Sequence, residues 1–369
     1  MSLPLSRDEL PEGLRRFGDP SAPTAAKAMA AKGLIPVRGD ELVTLLVQLG
    51  ADPDAGVAES ARVTLAGLPE GVLEAACKAP LHPAILDGLA DHVQARAALL
   101  GELAQNRATP DATLIRIARS AVEQVCERIA TDQQRLLATP EIIEALYKNK
   151  NTRMSTVDRL VELAARNGVE LTGVHTFQAH VEAIQGELIV DEPQDEPLPV
   201  DLDFQSALSH DDDDEPIETD KVDGTEAIKE SHKPLAQLLL EMSIPNKLRM
   251  CLIGSAAARA ILVRDSNKAV ALAAISSPAM TEAEGARVAL SKQVGTDVLR
   301  AIGTRREWLG NYEVKRALVF NPKTPAELSM RFLSHIRFND LRALSRSKNV
   351  PASLRAVATQ RLTQRDKKS

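Results

Sequence analysis

What most constrains this chain is a short polar punctuation that recurs along it, each time followed by an apolar run with helical spacing. NRATPDATLIRIA begins at Asn106, NKNTRMSTVDRLVELA at Asn149 and NPKTPAELSMRFL at Asn321. Two of them contain Thr-Pro, at Thr109-Pro110 and Thr324-Pro325, and LLATPEIIEALYKN supplies a third pair at Thr139-Pro140. Threonine is a good N-cap and proline suits the first helical position, so each pair is expected to open a helix, with the threonine as its cap. The same proline stops the helix before it. A second internal match aligns SKQVGTDVLRAIGT from Ser291 with SKNVPASLRAVAT from Ser347. With one residue gapped, it pairs Val294 with Val350, Leu299 with Leu354, and Ile302 with Val357.

After each helix start the apolar residues fall at i, i+3 and i+4, as in Leu114, Ile117 and Ala118 or Leu160, Leu163 and Ala164. That spacing gives each helix one apolar stripe. Two short helices cannot bury such a stripe alone, whereas stacked pairs share a continuous core. Aromatic residues are only 2% of the chain, so the core must be built from Leu, Ile, Val and Ala, which favours thin helical layers. The expectation is an all-α protein of stacked helical-hairpin repeats, an α-solenoid.

Charge divides the chain further. Residues 187–230 carry about 17 Asp+Glu against 2 Lys+Arg, whereas residues 231–369 carry about 10 against 24, inside an overall formal charge of -6. The middle stretch combines several prolines with the run from Asp211 to Glu215, shows little apolar periodicity, and is expected to be disordered. Two helical-repeat lobes, 8–186 and a basic 232–363, are therefore expected on either side of a disordered acidic linker, 187–231. His210 beside the acidic run suggests calcium, but the spaced ligands and turn glycine of a calcium loop are missing, and a solvated linker is the simpler reading.

The punctuation, together with REWLGNYEVKRALVFNPKTP, resembles helical-repeat proteins of the HEAT and leucine-rich-variant type found in bacteria. The resemblance covers the C-terminal block best and the N-terminal block loosely. It implies a scaffold and brings no catalytic residues.

The residues point the same way. There is no phosphate-cradling glycine loop, no G-x-S-x-G elbow, no H-E-x-x-H and no C-x-x-C. His175 and His180, the closest histidine pair, lie about 140° apart around a helix and make poor co-ligands. No enzyme activity, cofactor or metal is expected. Cys77, Cys126 and Cys251 read as reduced core thiols. The start, MSLPLSRDELPEG, lacks a signal sequence and no run is apolar enough to span a membrane, which reads as cytoplasmic.

The candidate binding surface lies in the basic block. Arg305, Arg306, Lys315 and Arg316 surround Trp308 and Tyr312, a mixture suited to stacking bases and neutralising phosphates. The same aromatic pair also suits packing between repeats, with the arginines outside. Arg342 and Arg346, one helical turn apart, and Lys348 extend the field. Two functions compete: a protein-interaction scaffold, and a nucleic-acid or other polyanion binder acting through this lobe. The acidic tether is itself a polyanion, and its Leu198, Val200, Leu202, Phe204 and Leu208 offer an apolar edge with which to clasp the basic lobe. Otherwise the tether is a spacer.

Overall fold

The computed structural model describes residues 3–185, 189, 194–210, 215–219 and 226–366. Among them are 24 α-helices, and no helix is long and apolar enough to cross a membrane. The all-α expectation holds apart from one hairpin, in which β1 (Ile217–Thr219) pairs antiparallel with β2 (Glu226–Ile228). The helices span 6 to 15 residues, lengths at which an isolated helix is marginal in water. Their stability must come from the stripe that each one buries.

The chain divides into two compact units, the first running to Gly173 and the second starting at Val174. The boundary comes earlier than the expected 186, because helix Phe177–Ile184 packs on Ile244–Ile253 of the second unit. His175 Nε2 also lies 3.3 Å from the Ala273 carbonyl oxygen. Within the first unit Gly39–Gly50 packs on Glu70–Lys78, which packs on Ala97–Gln105, which packs on Glu123–Ile129. Within the second, Ile244–Ile253 packs on Lys268–Ser276, which packs on Thr296–Thr304, and Glu282–Leu290 packs on Tyr312–Phe320. In these runs each helix touches the next but one and buries small and branched residues such as Ala76, Leu103, Val125, Ala274 and Ile302.

The punctuation has a chemical explanation. Asn106, Asn149 and Asn321 each follow the last residue of a helix. Each turns its amide onto the C-terminus of an earlier helix packed alongside. Asn106 Nδ2 donates to the Cys77 and Ala79 carbonyls at 2.7 and 2.8 Å. Asn149 Nδ2 donates to Ala118 and Ala121, both at 2.9 Å, and Asn321 Nδ2 to Ala289 and Ser291, both at 2.7 Å. These are carbonyls that a helix end leaves without intrahelical partners. The amide oxygen meanwhile accepts the N–H two residues on, at Ala108, Asn151 and Lys323, which closes the local turn. Donors and acceptor are both used, so asparagine is required by its chemistry.

Ser291 and Ser347 occupy the equivalent place in the other match, and Ser277 does so in a loop that neither match included, their hydroxyls accepting from the N–H two residues on. In all six loops the residue three positions on is buried: Thr109, Thr152, Met280, Val294, Thr324 and Val350. The N-cap comes one residue later, at Pro110, Arg153, Thr281, Gly295, Pro325 and, by the same count, Pro351. The two sequence matches are thus one motif.

This register corrects two expectations. Thr109 and Thr324 are not caps; Pro110 and Pro325 are the N-cap residues, and the threonines point inward. Thr109 Oγ1 donates to the Leu103 carbonyl at 2.7 Å, whereas Thr324 Oγ1 is buried without a hydrogen-bond partner. Thr139 is an N-cap with proline after it, but its hydroxyl donates to Asp111 at 3.1 Å and not to its own helix. The gap between the Ser291 and Ser347 segments is also unnecessary. Counting from the shared N-cap aligns Val298 with Leu354 and Ile302 with Ala358, all buried.

The expected linker, 187–231, contains folded structure. Pro199–Ser209 is a helix that buries Asp201, Phe204 and Ala207 and packs on Lys233–Glu241. Pro199 suits the first helical position, and Asp201 accepts from the Leu198 N–H at 2.8 Å. The Phe204 ring lies under Arg249, whose guanidinium sits 4.9 Å from its centroid. Residues 186–188, 190–193, 211–214 and 220–225, and with them the Asp211–Asp214 run considered for calcium, lie outside the described residues.

All three cysteines are buried thiols outside any disulfide. Burial, with Glu102 and Glu74 nearby, pushes the Cys77 thiol up to about 11, and burial raises Cys251 further. Neither should react with a thiol reagent at pH 8 until its unit unfolds, which a labelling time course in urea will read. Asn321→Ala strands two buried carbonyls and should destabilise the second unit by about 3 kcal/mol. Thr324→Val, which removes an unpaired buried hydroxyl, should leave stability unchanged or raise it by up to about 1 kcal/mol. Urea denaturation midpoints of the two variants check both figures.

Candidate binding surfaces of the second unit

The nine residues singled out from sequence do not form one surface. Trp308 is buried, with the Arg305 guanidinium 4.0 Å from its ring centroid. The ring lies so close over Gly285 of helix Glu282–Leu290 that a Cβ there would come within 2.7 Å of it. Arg305 also donates to the Ile275 carbonyl at 3.2 Å. Trp308 therefore packs between elements, and its ring is not presented for base stacking.

Tyr312 and Arg316, one helical turn apart, converge on a carboxylate that sequence reasoning missed, Asp340 of the helix Phe338–Arg346. The Tyr312 hydroxyl donates to Asp340 Oδ2 and accepts the Arg337 N–H at 3.1 Å, while Arg316 Nε reaches Oδ1 at 3.0 Å. The Arg337 guanidinium covers the Tyr312 ring at 4.1 Å. Burial pushes the Asp340 carboxyl up, but the Tyr312 bond, the Arg316 bond and the charges of Arg316 and Arg337 together outweigh it and leave the group below its usual range. For Tyr312, burial and the bond to Asp340 push the phenol up. The cluster joins two helices.

Arg306, Arg342, Arg346 and Lys348 are exposed, and Lys315 is half-exposed. Arg342 lies 5.1 Å from the Phe338 ring. Among the described residues no group of three or more His, Cys, Asp or Glu is arranged to hold a metal ion. His180 is fully buried.

A different surface stands out. A groove of about 490 Å³ runs between the hairpin and the helices Lys233–Glu241 and Ala256–Leu262. Its apolar lining includes Ile217, Ile228, Ala236, Leu239, Leu240 and Ile261, and Leu240 at its edge is 75% exposed. Its charged groups are paired: Lys247 Nζ with Asp265 at 3.0 Å, and Arg264 Nε with Glu226 at 3.0 Å. Glu226 also accepts from the Ser291 hydroxyl at 2.7 Å. One wall thus comes from the acidic segment, and Glu215 makes a further pair with Arg287 at 2.6 Å. The sequence signal for this wall was Asp223-Gly224, a turn dipeptide between two short runs containing isoleucine.

Because the native Asp340 carboxyl is depressed, its contribution to stability is present above the unfolded value of about 3.9 and is lost as pH falls through the folded value. Asp340→Asn should therefore lower the stability of the second unit at pH 7 by about 1 kcal/mol. The gap between wild type and variant should close below about pH 4. Denaturation midpoints measured from pH 7 to pH 3 test this.

No protein-family model, no curated protein and no solved structure matches the chain.

Proposed function

We propose that this chain is a non-enzymatic protein-interaction scaffold, an α-solenoid of stacked helical hairpins acting in the cytoplasm, whose second unit holds a segment of a partner protein in the groove beside Leu240. The observation that carries the reading is the groove itself, apolar along its floor and bordered by charges that are already paired. A surface of that kind favours a partner that buries apolar side chains; a polyanion needs a continuous unpaired positive field. The packing of each helix on the next but one supports the stacked arrangement, since it lets a rigid frame present side chains from several repeats.

Polyanion binding is the second reading. It is favoured by Arg306, Arg342, Arg346 and Lys348, which are exposed and have no carboxylate partner among the described residues.

The two readings separate on substitution and salt. Leu240 is too exposed for Leu240→Asp to cost the fold much, so the variant should keep its melting curve yet lose at least tenfold in affinity for proteins captured by the wild-type chain. Unchanged capture by Leu240→Asp, together with loss in Arg342→Ala/Arg346→Ala and a steep decline with salt, would replace the scaffold by the polyanion reading.

A further inference from the structure

The groove has one wall unlike the others. β2 supplies three successive residues to its lining, Glu226, Ala227 and Ile228. Glu226 and Ile228 share a face of the hairpin with Ile217, which also lines the groove, while Ala227 belongs to the other face, so the groove meets both that face and the edge of β2. The pairing fixes what that edge carries. Lys229 N–H donates to the Pro216 carbonyl at 2.9 Å, and Ile217 stands opposite Ile228. The groups of β2 and its continuation that face β1 are therefore those of Ala227 and Lys229, while those of Glu226 and Ile228 point away from it. The Glu226 carbonyl accepts from Gln293 Nε2 at 3.0 Å, and Gln293 also lines the groove. The Ile228 N–H and C=O, on the same edge, have no hydrogen-bond partner among the described residues.

Resting on the reading of the groove as a protein-binding site, we infer that its occupant is an extended peptide that adds to β2 as a third strand. Its backbone pairs with the Ile228 N–H and C=O, and alternate side chains drop onto Ala236, Leu240 and Ile261. A helical segment bonds its own backbone internally and leaves the Ile228 groups unpaired, so the open edge selects an extended one. Charge defines the peptide further. The carboxylates of Glu226 and Asp265 are held by Arg264 and Lys247. Lys229, next along the chain from β2, and Lys292, beside Gln293, have no carboxylate partner among the described residues. The bound segment carries Asp or Glu flanking its apolar residues.

The test is selection of a phage-displayed nonapeptide library on the full chain, followed by anisotropy measurements on the enriched peptide N-methylated at one position at a time. The expected consensus alternates apolar residues and has acidic ends. N-methylation should weaken binding at least tenfold at alternate positions and little at those between. The Ile228 amide proton should gain exchange protection in the complex, and Lys229→Glu/Lys292→Glu should abolish the preference for acidic ends. A consensus with apolar residues three and four apart, or equal sensitivity to N-methylation at every position, overturns strand addition while leaving a protein-binding groove in place. Enrichment of no peptide also overturns it, and partner capture by wild type and Leu240→Asp then decides separately whether the scaffold reading stands.

Discussion

The rest of the structure depends on a side-chain amide spanning two neighbouring helices. The helices are too short to stand alone, and each ends in carbonyls that its own hydrogen bonds cannot reach. Asn106, Asn149 and Asn321 satisfy such carbonyls on an earlier helix and close their own turn with the same side chain. One residue thereby fixes both where a helix stops and which helix it lies against. These bonds join residues 27 to 32 apart in sequence. Ion pairs span similar separations: Arg116 with Asp87, Arg153 with Glu123 and Arg259 with Glu284 lie 29, 30 and 25 residues apart. The exposed pairs add little individually. Arg259 and Glu284 are both buried, and each depends on the other to avoid a stranded charge.

Much of this was legible in the chain. The i, i+3, i+4 stripes identified helices, and the recurrent asparagines marked where helices end, because both are local signals. The role of the threonines was misread because Thr-Pro is an equally good signal for a cap and for a buried residue just ahead of one; only the packing of Thr109 and Thr324 separates the two. The gap drawn between Ser291 and Ser347 arose for a related reason. Leu-Arg-Ala recurs in both segments and its leucine is buried in each, so local sequence favours the gapped pairing; only the helix start, one residue after Val294 and Val350, aligns Val298 with Leu354 instead.

The groove was less legible because its walls come from stretches of opposite composition, one acidic and one basic. Ile217 and Ile228 lie in a stretch whose composition reads as solvated chain, and Leu240 lies in the basic block. Composition averages over a segment; it does not register that Phe204 fits beneath Arg249 or that Glu226 meets Arg264 and Ser291. Asp340 escaped for a similar reason. Among 51 acidic residues nothing local marks it, and its partners Tyr312 and Arg316 lie 28 and 24 residues away. The acidic stretch is better regarded, where it is described, as a built part of the second unit that neutralises some of its excess positive charge.

The burial of Trp308 has a practical consequence. It is the only tryptophan in the chain, and it is held between Arg305 and the backbone at Gly285, inside the second unit. Indole emission excited at long wavelength therefore reports on that unit alone, whereas far-ultraviolet circular dichroism sums the helices of both. Where the two signals change together on heating, the units melt as one cooperative system; where they part, the difference curve belongs to the first unit. The chain thus carries its own optical label for whether its two halves are energetically coupled.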